Sequence, residues 1–324
     1  MNIKITLVTV GVLCAMHSLA QDVGTVATKT VDTFSALAEG PHKGFRVNHA
    51  KGTFLSGTFT PTEAAQKLSV AAHFKTAVPV VVRFSTGTGV PTLPDTSPHA
   101  RPYGMAIRFT LPDQSSTDIV SISYNGFPVS TPEEFLALLT AIKDAPTETS
   151  KPSAIEQFMA AHPAAAAFAK DPKPVPLSFA NQAFFGVNSF IFEDSAGKQK
   201  YFRYRIVPKA GVKLMPAAEA ENATPDVLMH EIAKRVQTTP VEYLLQAQLP
   251  NTGDPLLDGS QAWPDDREIV DLGTIQLDGI PKDIASLDKQ MFNPLSLPKG
   301  IIASADPVLQ FRPVAYAVSF GRRI

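Results

Sequence analysis

The sequence predicts an α+β fold, with antiparallel strands forming the framework and helices packed on it. Two observations carry this expectation. Short β-branched and period-2 runs are punctuated by turn residues along the whole chain, and its 28 prolines and 19 glycines are spread through it. Between the runs stand helix starts of the Thr-Pro-Glu type, the residue order of a capped first turn. No internal repeat and no low-complexity linker divides the 324 residues, which points to one domain over residues 21–324 with a sizeable core. A net charge of -1 with no basic block argues against an electrostatic nucleic-acid binder.

The first twenty residues are set apart. Lys4 supplies a positive start, Ile5 to Ala15 an apolar stretch and Ser18-Leu19-Ala20 a small-residue cleavage site before Gln21. This predicts a signal peptide over residues 1–20, export to a periplasm, and no membrane span after cleavage. The single cysteine, Cys14, falls inside that segment, so the exported chain has no disulfide and is held by its core.

Residues 22–40 read as an amphipathic helix through Val23, Val26, Val31, Phe34 and Leu37, ended by Gly40-Pro41. Thr53 to Thr60 reads as strand, with Phe54 and Phe59 facing a core across a turn at Ser56-Gly57. Thr60, Pro61 and Glu63 predict a capped helix over 64–74. Strands follow over 79–84, 103–110 and 118–124, the last two separated by Pro112-Asp113. A second capped helix begins at Thr131 and carries Phe135, Leu136, Leu138, Leu139 and Ile142 on its apolar side. Residues 154–169 are alanine-rich and helical, interrupted at His162-Pro163, and 170–176 is a stiff connector. Residues 179–192 and 201–207 read as a hairpin about Asp194-Ser195-Ala196-Gly197, with Phe202, Tyr204 and Ile206 inward and Arg203 and Arg205 in water. A helix over 225–236 capped by Thr224, strands over 241–248 and 269–277, and a final C-terminal element complete the chain.

Four stretches bear chemistry: Arg46 to Gly52 around His49, Arg83-Phe84-Ser85-Thr86, Tyr124-Asn125, and Arg312-Pro313-Val314-Ala315-Tyr316. Singly, each has an ordinary explanation. His49 can be a satisfied core residue, Asn125-Gly126 a turn, Ser85 a strand end, and any one arginine a solvated surface charge. The remaining histidines show no zinc-ligand spacing, and no phosphate loop, dinucleotide fingerprint or nucleophile elbow is present.

In order along the chain, RVNHAKG, RFST, RPYGMAIRF, YNGFPV, WPDD, FNP, SADPVLQFR and RPVAY resemble the haem-binding core of the catalase family. The similarity is greatest to its short, exported catalase-related peroxidases. It implies an antiparallel β-barrel with helices around it and a haem b cofactor (iron protoporphyrin IX). His49 would be the proton relay, Asn125 a donor orienting the peroxide, and Ser85 the holder of the imidazole through its other nitrogen. Arg46 and Arg83, with Arg323 as a further candidate, would grip the haem propionates. Tyr316 would be the iron ligand, with Arg312 four residues earlier stabilising its anion. Phe127 and Phe135 would wall the pocket, though phenylalanines at such spacing also serve plain core.

The chain lacks the long arm and the helical extension of full-size catalases, so the resemblance further implies an open pocket that favours oxidation of a small organic reductant. The expected acceptor is hydrogen peroxide, with organic hydroperoxides second. Rival expectations are a minimal catalase, a hydroperoxide-rearranging enzyme and a haem carrier without turnover. Donor identity and homo-oligomer formation stay open.

Overall fold

The computed structural model describes the backbone from Thr6 and side chains from Asp22, so the expected leader peptide and its cut after Ala20 lie outside the described side chains. Helix α1 (Thr6–Leu37) is longer than the segment expected to be helical, and the chain leaves it through a cis Gly40-Pro41 bond. Among the described residues no helix is long and apolar enough to cross a membrane.

Strand β1 (Gly52–Pro61) runs unbroken where a turn was expected. Ser56-Gly57 is regular against the next strand, and the irregularity lies opposite it, where a later strand carries one extra residue, Asp278, between Leu277 and Gly279. A side chain at Gly57 would sit 1.9 Å from the Gln276 carbonyl oxygen, so only glycine allows that approach. In an unbroken strand Phe54 and Phe59, five apart, face opposite sides. Phe59 is inside the barrel, and Phe54 lies outside beneath the Arg83 guanidinium, 5.7 Å from its ring centre. Because β1 continues through Pro61, helix α2 (Glu63–Leu68) starts late and is shorter than expected. Thr62, not Thr60, caps it, accepting from Ala65 N at 3.2 Å.

Strands β2 (Val78–Ser85), β3 (Gly104–Thr110) and β4 (Ser116–Ile122) follow as expected. Helix α3 (Pro132–Asp144) has the anticipated box, Thr131 and Glu134 each bonding the other's backbone. Leu138 and Leu139 are buried on it, but Ile142 is 41% exposed, beyond the edge of the packed face. Helices α4 (Ala154–Ala161) and α5 (Pro163–Lys170) meet at His162-Pro163. Strands β5 (Phe184–Phe185), β6 (Phe190–Glu193) and β7 (Gln199–Pro208) follow, and the hairpin is confined to β6 and β7. Arg203 on β7 is not in water: it lies buried over the Trp263 ring and donates to the carbonyls of Gln261, Pro255 and Asp258. After α6 (Ala217–Glu221), α7 (Val227–Arg235) is capped from outside its own segment, not by Thr224. The Asp95 carboxylate accepts from Leu228 N at 3.0 Å and Met229 N at 3.2 Å. The chain ends with β8 (Val241–Gln248), β9 (Ile269–Gly279), α8 (Ile284–Asp288), β10 (Ile301–Ala303) and α9 (Pro307–Arg323).

Eight strands close into an antiparallel barrel in the order β1, β2, β3, β4, β5, β7, β8, β9, with β9 returning to β1. Alternate residues fill it. Val80, Val82 and Phe84 of β2 meet Ile107 and Phe109 of β3 and Tyr243 of β8, all buried. Each such side chain contributes about 1.5–3 kcal/mol by leaving water. The other face of β2 to β4 is covered by a layer of α1, α3 and α9, whose seam joins Val26, Ala27 and Phe311 with Leu136 and Val314. Between that layer and the barrel wall a space remains.

Candidate active site

This space is a cavity of about 260 Å³ measured for the centres of water-sized molecules. The outward positions of β2 and β3 give it Arg83, Ser85, Gly104 and Ala106, and α1 and α3 give Val31, Phe34 and Phe135. Arg312, Tyr316 and Arg323 come from α9, where spacings of four and seven residues return to one helix face.

His49 precedes β1 in a left-handed backbone conformation (φ 56°), which histidine tolerates better than most residues and which aims its ring into the cavity. Its Nδ1 lies 3.1 Å from Ser85 Oγ on the barrel wall. A Cβ at Gly104 would fall 2.8 Å from that nitrogen and 2.7 Å from Ser85 Oγ, so the ring has its place only because residue 104 has no side chain. Burial, and then the Arg83 guanidinium, push the His49 imidazole down to about 4. It is therefore neutral near pH 7, with Nε2 free for proton transfer once Nδ1 is bonded to Ser85.

On α9, Arg312 donates to Tyr316 Oη twice, from Nε at 3.0 Å and Nη2 at 2.9 Å. Its Nη1 donates to Asn188 Oδ1 at 2.8 Å, and Asn188 Nδ2 donates to Asp306 Oδ2 at 2.7 Å. The other Asp306 oxygen accepts from Val308 N at 2.9 Å, capping α9. The phenol is thus tied to the start of its own helix by a continuous chain of bonds, half-buried at Arg312 and buried at Asp306. Asn188 carries no signal that the sequence would have revealed. Asp306 does carry one, since an acidic residue before Pro307 marks a helix start.

Three more cations meet at one end of the cavity. Arg46 Nη1 is 2.6 Å from Asp288 Oδ1, and its Nη2 donates to the carbonyls of Asp288 and Gln290 at 3.1 Å. Arg323 Nη2 donates to the Gln290 carbonyl at 3.2 Å, and Arg83 Nη2 to the Ala50 carbonyl at 3.2 Å. Burial, then the charge of Arg46, push Arg83 down to about 9 and Arg323 down to about 10, so both remain cations at pH 7. Arg83 Nε and Arg323 Nη1 are buried and lack a hydrogen-bond partner among the described residues. Asp288 balances one of the three guanidinium charges, which leaves two positive charges uncompensated.

The structure therefore brings together His49, Ser85, Arg46, Arg83, Arg312, Tyr316 and Phe135, with Arg323 and Phe127 beside them. Asn125 is not among the lining residues; it is half-buried in the turn after β4. No group of three or more metal-ligating His, Cys, Asp or Glu side chains occurs among the described residues. The donor set suits an apolar, iron-bearing ring with two carboxylates: a phenol oxygen, an imidazole and two buried guanidinium donors without hydrogen-bond partners line the same apolar cavity.

The eight-stranded antiparallel barrel with helices around it is the fold of the solved catalases. A fungal catalase superposes with a TM-score of 0.75 at 21% identity, covering 88% of this chain and 60% of that one. Catalase A from Saccharomyces cerevisiae gives 0.74 at 20% identity, covering 88% and 61%. The chain belongs to the catalase family, whose model, described as Catalase, matches residues 42–324. It is 35% identical over 289 residues to a catalase-related peroxidase of Mycolicibacterium paratuberculosis, covering 88% of this chain and 90% of that one. A catalase-related peroxidase of Synechococcus elongatus is 34% identical over 291 residues, covering 88% and 85%.

Proposed function

We propose that this protein is a haem b peroxidase that reduces hydrogen peroxide at the expense of an organic donor. The observation that carries this reading is the pairing, across one cavity, of a neutral buried His49 with a phenol, Tyr316, gripped twice by Arg312. The name catalase-related peroxidase borne by both relatives supports the peroxidase side over dismutation.

Bound haem b would supply an iron that accepts the oxidising equivalents of the peroxide. This chain's residues do the rest. Tyr316 would ligate the iron as phenolate, and the two Arg312 donors hold its oxygen in place. Arg46, Arg83 and Arg323 would hold the propionates, satisfying the two orphaned donors. His49 Nε2 would take the proton from the near peroxide oxygen and return it to the departing one, while Ser85 keeps the ring's orientation and tautomer. By the family resemblance alone, Asn125 would orient the peroxide as a hydrogen-bond donor.

The test is the fate of peroxide added to haem-loaded protein with a phenolic donor. Donor oxidation with little oxygen release is expected; oxygen evolution without donor oxidation would establish a minimal catalase instead. We further propose that the chain is exported to a periplasm and begins near Gln21 once the leader is removed. Intact-mass measurement of the natural protein checks this, and a mass that includes residues 1–20 would contradict it.

A further inference from the structure

Asp288 sits among the three arginines in a way that a simple anion cradle does not need. It lies on α8, a five-residue helix without a buried residue, and its carboxylate is 45% exposed. The carboxylate is 2.6 Å from Arg46 Nη1 and 3.9 Å from Arg83 Nε, and it competes with any bound anion for both. It is not required to orient Arg46. The main-chain carbonyls of Asp288 and Gln290 already hold Arg46 Nη2, and the Gln290 carbonyl also holds Arg323. Its distinctive contribution is one negative charge.

Resting on the haem reading above, we propose that Asp288 is a positioning and specificity-determining counter-ion. It trims the cradle from three positive charges to two, matching a dicarboxylate ring and keeping that ring exchangeable rather than locked in. Asparagine at this position is nearly isosteric and keeps an acceptor for Arg46, and the two carbonyl bonds remain, so Asp288→Asn removes the charge with little else. Near a partly buried cluster one unit of charge alters the hold on an anion by about tenfold.

The experiment measures loss of haem to excess apomyoglobin by visible absorption, using wild type, Asp288→Asn and Asp288→Glu, each loaded with haem or with its dimethyl ester. Asp288→Asn should release haem about tenfold more slowly at low ionic strength, and the difference should shrink in 1 M salt. The diester should leave both proteins at similar rates, and Asp288→Glu should restore the wild-type rate. A purely structural role would move haem and its diester alike. Equal or faster haem release from Asp288→Asn, or an equal gain for the diester, overturns the inference and leaves the haem reading standing. Wild type that takes up neither compound overturns both.

Discussion

His49 owes its chemistry to its neighbours. Ser85 fixes one ring nitrogen, Gly104 leaves room for the ring, and burial with Arg83 keeps it neutral. His49→Gln should retain haem yet slow peroxide cleavage by about 10²- to 10⁴-fold, the usual worth of a general acid–base group; stopped-flow absorption gives the rate. Because the imidazole is held at about 4 rather than at its ordinary 6.5, protonation should shut the relay down only toward pH 4. The rate of peroxide cleavage should therefore be flat from about pH 8 down to about 5 before it falls. Gly104→Ala should displace the ring and cost far more in rate than in melting temperature, since its new methyl would stand 2.8 Å from His49 Nδ1. Arg46, Arg83 and His49 were expected from the family resemblance of their motifs. Gly104 was not, because its meaning depends on what lies across the sheet from it.

At the scale of the element, α9 carries both the phenol and its support. The Arg312-to-Tyr316 spacing was readable, since four residues return to the same helix face. The continuation through Asn188 to Asp306 was hidden, because it joins the loop between β5 and β6 to a helix cap more than a hundred residues away. Asn188→Leu should leave a half-buried guanidinium donor and a buried carboxylate oxygen without their shared partner, costing about 1–3 kcal/mol of stability. Urea unfolding measures that loss, and Tyr316 should hold iron less firmly in the same variant. The misplaced cap of α7 has the same origin: Asp95 reaches it from a different part of the chain.

For the molecule as a whole, strand content and most helix starts followed from local patterning, but closure of the barrel did not. Pairing of β1 with β9 and of β7 with β8 joins segments whose register no local period specifies, and only the family resemblance anticipated it. The same non-local packing buries a histidine that no site uses. His73 lies among Phe59, Phe74 and Phe109, and burial pushes it down to about 3. Its folded value is below its unfolded one, so between pH 6.5 and about 3 the unfolded chain binds the extra proton. Stability should fall as pH drops through that window and be unaffected above it. Replacing His73 with Leu should flatten the acid limb of a melting-temperature profile, and a profile that keeps its slope would contradict this assignment.

The proposed haem site would be held by Tyr316 and served by His49, which line the same cavity. Resonance Raman spectroscopy of the haem-loaded ferric protein, wild type beside Tyr316→Phe, tests it most directly. Iron-phenolate bands are expected in wild type and should be lost in Tyr316→Phe, whose ring keeps the packing but has no oxygen to offer. Bands that persist in the variant, or a wild-type spectrum without them, would contradict it.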